Sequence, residues 1–353
     1  MKRRKTIKIK VGNVAVGGNA PVSVQSMTKT DTDDAEATLR QIGRLADEGC
    51  EIVRVAVKNS AGIKPFGKIV EGAGIPVIAD IHFDYRLAVK AAEAGAACIR
   101  INPGNIGSPE KVKLVVDCLK KHKIPMRIGV NSGSLEPELL KKYKKPVPEA
   151  LVESALKNIK LVEKFGFHDL KISIKSTSVK DTCEAYKLLA PKTKYPFHIG
   201  ITEAGTVFSG TIKSAIGIGS LLLEGIGDTV RVSLTADPVR EVRVAREILK
   251  SLGLRKFGPE IISCPTCGRK EIDVEKIALE VEKLAAGIKT PMTIAVMGCS
   301  VNGPGEAKEA DIGIAGGKNI GIIFKNGRII KKVKSEKLLS EFKKIIEKIN
   351  KNS

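Results

Sequence analysis

Residues 75–105 read IPVIADIHFDYRLAVKAAEAGAACIRINPGN. Two β-branched runs, IPVIADIH (75–82) and ACIRINPGN (97–105), bracket a helical stretch, and both runs end in polar residues. A short apolar run, a helix and a second run of the same kind are what two parallel strands joined by a helical crossover require. The pattern continues in both directions. Toward the N-terminus lie PVSVQSM (21–27) and EIVRVAV (51–57). Toward the C-terminus lie IPMRIGVNSG (124–133), LKISIKS (170–176), PFHIGITEAG (196–205) and TVRVSLT (229–235). The helical stretches between and after them, such as DDAEATLRQIGRLADEG (33–49), PEALVESALKNIKLVEKFG (148–166) and DPVREVRVAREILKSLG (237–253), begin with Asp or Pro and end in Gly, the chemistry of capped helices. Eight strand–helix units in about 250 residues predict an α/β fold of the (β/α)8 TIM-barrel type. The nearly continuous apolar strands fit a parallel sheet covered on both faces. A doubly wound open sheet is the alternative. The segment TIKIKVGNVAVG (6–17) predicts a hairpin that plugs the barrel floor.

After RKFGP (255–259) the pattern changes. A helix over DVEKIALEVEKLAAG (273–287) precedes a strand over MTIAVMG (292–298). Two strands flank the Asn-Gly turn of KNGR (325–328), and a last helix starts near Ser335. The expectation is a barrel domain over 1–255 and a small α+β domain over 260–353.

The bulk composition narrows the function classes. The chain has 353 residues, a formal net charge of +21, no tryptophan and 4% aromatic residues. A basic surface can bind nucleic acid, but so few aromatics leave little to stack on bases, and a solvated lysine-rich surface is the expectation. No window has the length and apolarity of a membrane span, and the basic start is not followed by the apolar core of a signal peptide, so a cytoplasmic protein is expected. Of seven cysteines, Cys50, Cys98, Cys118 and Cys183 read as small buried hydrophobes and not as a disulfide framework.

The other three cysteines differ. SCPTCGRK (263–270) holds Cys264 and Cys267 as a C-x-x-C pair, and AVMGCSVNGPGEA (295–307) holds Cys299, with Asn302 and Glu306 after it. C-x-x-C serves zinc and iron–sulfur clusters alike. No histidine follows His198 and no cysteine follows Cys299, so the small domain by itself cannot complete a zinc site of four cysteines, or of three cysteines and a histidine. The turn-rich NGPGE connection brings the Glu306 carboxylate within reach of a metal on Cys299. A hard carboxylate among thiolates is the weaker, more readily displaced ligand and points to a metal that meets a substrate. A zinc site completed by water, with Glu306 an ordinary acid at a turn, stays open.

In a barrel the strand C-termini form the active-site mouth. The runs offer there Arg54, then Asp80 and His82, then Arg100 and Asn102, then Arg127 and Asn131, then Lys175, then Thr202 and Glu203, then Ser233. Four cations converging on one mouth repel one another unless an anion sits among them, and the arginine fork suits phosphate oxygens. The expected ligand is a small molecule carrying about two phosphates. Glu203 can donate a proton or anchor a hydroxyl there. His82 reads more readily as a surface residue.

The motifs CPTC and VMGCSVNGPGEA, with VQSMT, EIVRVAV, RINPGN, RIGVNSGSL, ISIKS, GITEAG and VRVSLTADP, resemble those of the 4-hydroxy-3-methylbut-2-enyl diphosphate synthase family over nearly the whole chain. Ser300 stands where that family often has an aliphatic residue. The resemblance implies an oxidoreductase of isoprenoid precursor synthesis that opens 2-C-methyl-D-erythritol 2,4-cyclodiphosphate with two electrons. It implies a [4Fe–4S] cluster on Cys264, Cys267, Cys299 and Glu306, with Glu306 giving way to substrate. Arg54, Arg100, Arg127, Asn131, Lys175 and Ser233 then hold the diphosphate, Thr202 belongs to the same shell, and Glu203, His82 and Asn302 lie near the reacting atoms. Flavodoxin or ferredoxin is the implied electron donor. The implied assembly is a homodimer with the active site between subunits. Two alternatives stand beside it, a zinc-tailed basic barrel protein that binds RNA or a phosphorylated ligand, and a non-redox barrel transferase of the pterin type.

Overall fold

The computed structural model describes residues 2–288, 290–299 and 307–351. It divides into two compact units, Met1–Arg255 and Lys256–Ser353.

In the first unit a hairpin of β1 (Ile9–Val11) and β2 (Val14–Val16) turns at Gly12, where φ is +57°. Eight parallel strands follow. They are β3 (Ser23–Met27), β4 (Ile52–Ala56), β5 (Val77–Asp80), β6 (Cys98–Ile101), β7 (Met126–Asn131), β8 (Leu170–Lys175), β9 (His198–Ile199) and β10 (Thr229–Val230). Their order is β8-β7-β6-β5-β4-β3-β10-β9, and a bridge between Ile172 and Phe197 joins β8 to β9, closing the ring. This is the TIM barrel, and the open-sheet alternative falls with the closing bridge. The capping residues act as the sequence indicates. Asp34, Asp84 and Asp237 each accept a backbone N–H of the helix they precede, at Ala37, Arg86 and Val239. Gly49, Gly95, Gly166 and Gly253 leave their helices with positive φ. The hairpin packs Ile9, Val11 and Val16 against Ile52, Ile78 and Cys98 at the strands' N-terminal ends, which makes it the floor plug.

Two details depart from the expectation. The seventh and eighth runs pair over only two residues each, because the chain beyond Ile199 and Val230 leaves the ladder to form the loops of the mouth. Of the four isolated cysteines, Cys50 and Cys98 are buried, whereas Cys118 and Cys183 are only half-buried on their helices.

In the second unit β11 (Glu260–Ser263), β12 (Thr293–Met297) and β13 (Ile312–Ala315) run parallel, and β14 (Ile320–Lys325) and β15 (Arg328–Lys334) extend the sheet antiparallel. Asn326 and Gly327 turn the last hairpin with both φ values positive, the demand of a two-residue turn of this hand. Helices Val274–Ala285 and Leu338–Lys351 cover one face, burying Val281, Ile294, Val296, Ile314, Ile323, Leu338 and Phe342. Strands β11 and β13 carry no clear signature in the sequence. Among the described residues no helix is long and apolar enough to cross a membrane.

Candidate active site

Side chains alternate along a strand, so residues two apart share a face. In this barrel the inward register carries charge. Asp80 on β5 stands opposite Arg100 on β6, Arg100 opposite Arg127 on β7, and Arg127 opposite Lys171 on β8. Lys171, Ser173 and Lys175 share one phase of β8, and Arg231 and Ser233 share one phase beyond β10. Arg54, Asp80, Arg100, Arg127, Lys171 and Lys175 are all buried.

One carboxylate organises the upper part of this set. Asp80 accepts from Arg100 Nη1 at 3.0 Å and lies 3.6 Å from both Arg54 Nε and His82 Nε2. Burial alone would raise its pKa, but Arg54, His82 and Arg100 together hold it far below the usual carboxylate range. Burial pushes Arg54 down to about 10, although Asp80 opposes the shift. Arg54 also donates to Met27 Sδ at 2.9 Å. Deeper in the barrel Arg127, Lys171 and Lys175 pair with no carboxylate among the described residues. Arg127 donates to Ser173 Oγ at 3.0 and 2.9 Å, and its Nη1 has no partner. Lys171 Nζ, both ring nitrogens of His198 and both amide atoms of Gln25 are likewise buried without partners. Burial, reinforced by the neighbouring cations, lowers Arg127, Lys175 and His198 well below their ordinary values, and burial lowers Lys171 to about 8. The set is a cluster of buried like charges. It is built from cations that disfavour one another until negative charge arrives.

Above it opens a cavity of about 650 Å3 lined by His82, Arg100, Asn102, Asn131, Thr202 and Glu203. Phe83, Asn105, Ser132–Leu135 and Thr177 complete its wall. Six predicted mouth residues thus line one cavity, His82 among them: its imidazole is about half exposed, 3.6 Å from Asp80 and 3.4 Å from Arg100 Nη1. Arg54, Arg127, Lys175 and Ser233 are not part of this wall. With its side-chain amide turned to satisfy both atoms, Asn131 accepts from Arg100 Nη2 at 3.1 Å and donates to Val130 O. Glu203 sits at φ +49°, a left-handed conformation that costs a non-glycine residue energy and concentrates at functional sites.

Lys171, Arg231 and Glu241 are among the residues of the site that sequence reading does not single out. Lys171 and Arg231 were legible by parity, each being two positions from a residue that was chosen or in phase with one. Arg231 donates to Ser233 Oγ at 2.6 Å and lies 3.5 Å from Glu241. Glu241 is buried and also accepts from Ser26 Oγ and the Leu234 N–H, which fixes the strand-eight loop. No strand pattern points to Glu241, because it belongs to the following helix.

Two outcomes follow from this geometry. A Cβ on Gly129 would stand 2.6 Å from Arg100 Nε, so Gly129→Ala should displace that guanidinium. Substrate KM is expected to rise about tenfold with little loss of thermal stability, as measured by steady-state kinetics beside thermal melts. The second concerns pH. Lys171 is neutral in the fold above about 8 but still protonated in the unfolded chain up to the ordinary lysine range. Its contribution to stability therefore rises with pH across that window. Melts from pH 7 to 10 should lose that upward component in Lys171→Met, and an unchanged slope would refute it.

The second unit brings the cysteine motifs together. Register pairs Ser263 with Val296, so Cys264 and Gly298 leave adjacent strands side by side. The Gly298 N–H donates to Cys264 Sγ at 3.1 Å. Cys267 is exposed and Cys299 is buried one residue past Gly298. An amide aimed at sulfur, on a thiolate set with no imidazole, fits an iron–sulfur cluster. Among the described residues no three His, Cys, Asp or Glu side chains form a closed metal cage. Asn302 and Glu306 lie outside the described residues.

A cation-lined TIM barrel followed by a small mixed-sheet unit bearing C-x-x-C and a third cysteine defines a class, and the chain belongs to the GcpE family. Residues 6–246 match the GcpE TIM-barrel domain and residues 260–348 the GcpE protein C-terminal domain. Its relatives include the 4-hydroxy-3-methylbut-2-en-1-yl diphosphate synthase (flavodoxin) of Caldanaerobacter subterraneus subsp. tengcongensis, 61% identical over 98% of both chains. The protein of the same name from Clostridium perfringens is 60% identical over 99% of this chain and 100% of its own. Among solved structures, 3-dehydroquinate dehydratase from Geobacillus kaustophilus superposes with a TM-score of 0.50 at 16% identity, over 70% of this chain and 98% of that one, a likeness of barrel fold alone. Nothing in these comparisons supports the zinc-tailed RNA-binding alternative.

Proposed function

We propose that this chain is a flavodoxin-dependent oxidoreductase that converts 2-C-methyl-D-erythritol 2,4-cyclodiphosphate to 4-hydroxy-3-methylbut-2-enyl diphosphate. Counted on the free acids, two electrons and two protons open the ring and release one oxygen as water. The observation that carries this reading is the buried cation set, Arg54, Arg100, Arg127, Lys171 and Lys175, with Asp80 as its carboxylate partner. A diphosphate supplies the missing negative charge, and arginine forks bind its oxygens in pairs. Residues 1–255 serve as the substrate domain and 260–353 as the redox domain.

Cys264, Cys267, Cys299 and Glu306 would hold a [4Fe–4S] cluster, which when bound supplies the reducing electrons. The chain's own residues do the rest. Arg100, Arg127, Lys175 and Arg231 neutralise the diphosphate, with Arg54 beside them. Asn102, Asn131, Thr202 and Ser233 orient the ligand through neutral hydrogen bonds. The Glu203 carboxyl delivers a proton to the departing hydroxyl, its backbone strain aiming it into the cavity. Asp80 holds the His82 ring toward the same space, and Asn302, three positions after Cys299 in the sequence, is assigned beside the cluster on the family resemblance alone. A cytoplasmic homodimer, with the active site shared between subunits, is part of the proposal and rests on the family resemblance.

The test is anaerobic turnover of the cyclodiphosphate with reduced flavodoxin. Product formation strictly dependent on the reductant is expected. Consumption of substrate without reductant would favour a non-redox barrel enzyme.

A further inference from the structure

The cysteine end of the second unit carries cations that the proposed chemistry does not use. Strand register and hydrogen bonds place them. The Glu271 N–H donates to Gly298 O at 2.9 Å, and a Cβ on Gly298 would touch Lys270 Cβ at 3.7 Å, so Lys270 and its neighbour Arg269 border the Cys264–Gly298 contact. The Gly316 N–H donates to Met297 O, which brings the β13–β14 turn with Lys318 to the same end. Ser335 Oγ donates to Gly317 O at 2.7 Å, and Ile320 pairs with Lys334, so the start of β14 and the end of β15 close this rim.

Alternation then sorts the faces. Gly321 abuts Leu338, Val333 packs into the helix-covered core, and Lys331 pairs with Glu341 of the last helix. Ile320, Lys332 and Lys334 therefore lie on the opposite face. Arg269, Lys270, Lys318, Lys332 and Lys334 are exposed, and none is paired with a carboxylate among the described residues. Glu271 lies beside Gly317 and tempers the charge without matching it. Ile320 is 56% exposed in their midst, an apolar contact ringed by cations. Lysines on β15 could merely guard an edge strand against pairing. That reason does not extend to Arg269, Lys270 or Lys318, which lie off the edge.

We propose that this basic rim with Ile320 is the docking surface for an acidic flavodoxin, beside the cysteines that would hold the electron-accepting cluster. The proposal rests on the flavodoxin-dependent reading above. Each turnover takes two electrons, delivered one at a time by two reduced donors, each of which leaves oxidised by one electron. Complementary charge on a small, transient interface speeds encounter and allows quick release.

The experiment uses the full-length, cluster-loaded enzyme carrying Lys318→Glu, Lys332→Glu and Lys334→Glu together. Turnover of the cyclodiphosphate is measured with reduced flavodoxin across a salt series, and separately with reduced methyl viologen. The expected result is a fall of roughly tenfold or more in kcat/KM for flavodoxin, loss of its salt dependence, and viologen-driven turnover within about twofold of the unsubstituted enzyme. Equal losses with both donors would mean that the lysines serve the fold or the chemistry, and would overturn the docking surface. So would an undiminished rate with flavodoxin. If the unsubstituted enzyme turns over with neither donor, the functional reading itself fails and this surface with it.

Discussion

Cys299→Ser is expected to abolish turnover, by roughly three orders of magnitude or more, and to strip the protein of most of its iron and sulfide. Cys299 is buried and follows directly on Gly298, whose N–H bonds Cys264 Sγ, so solvent has little access to the position its sulfur would fill as a ligand. A serine hydroxyl in its place is a harder and far less acidic ligand for iron. Glu306→Ala should behave differently, because three thiolates remain: part of the cluster should assemble, and turnover should be poor. Visible absorption, iron and sulfide content and anaerobic activity separate the two variants. Full activity in either one would contradict the ligand set.

Arg127→Met should move stability and affinity in opposite directions. The guanidinium is fully buried on β7 opposite Arg100 and Lys171; among the described residues it bonds Ser173 Oγ alone and leaves Nη1 without a partner. Burying a charge in such company costs more than it returns until an anion is bound, and an apolar side chain of similar length removes the cost. The ligand-free barrel should gain about 1–3 kcal/mol. The diphosphate would lose one or two charge-assisted hydrogen bonds of about 1.5–3 kcal/mol each, or roughly 100-fold in affinity. Thermal melts without substrate and calorimetric titration with the cyclodiphosphate read the two effects. A variant both less stable and unaltered in affinity would show that Arg127 is a structural residue.

This trade-off explains what the sequence made visible. Eight β-branched runs announce a barrel because each is followed by a helical stretch, and several of those helices begin at Asp or Pro and leave through Gly. Arg54, Arg100, Arg127 and Lys175 stand out because arginine and lysine inside apolar runs break the pattern of a packed lumen. Lys171 breaks the same rule less visibly, because a lysine at the start of LKISIKS also fits the solvated end of a strand. Arg231 lies two residues before Ser233 and in the same phase, so parity along TVRVSLT points to both. Glu241 was beyond reach of any local pattern, since its role depends on the fold bringing the next helix against Ser26 and Leu234. In the second unit β11 is four residues long and largely solvent-facing, so the alternation that betrays a half-buried strand is missing, yet it is the strand that delivers Cys264 to Gly298.

On the proposed function, an anion-seeking barrel and a cluster-bearing unit form a single reductive enzyme. Iron, zinc and acid-labile sulfide per chain, determined on protein purified without oxygen, test it most directly. The account predicts about four irons and four sulfides per chain. One zinc and no sulfide would contradict it, leaving the cationic barrel without a source of electrons.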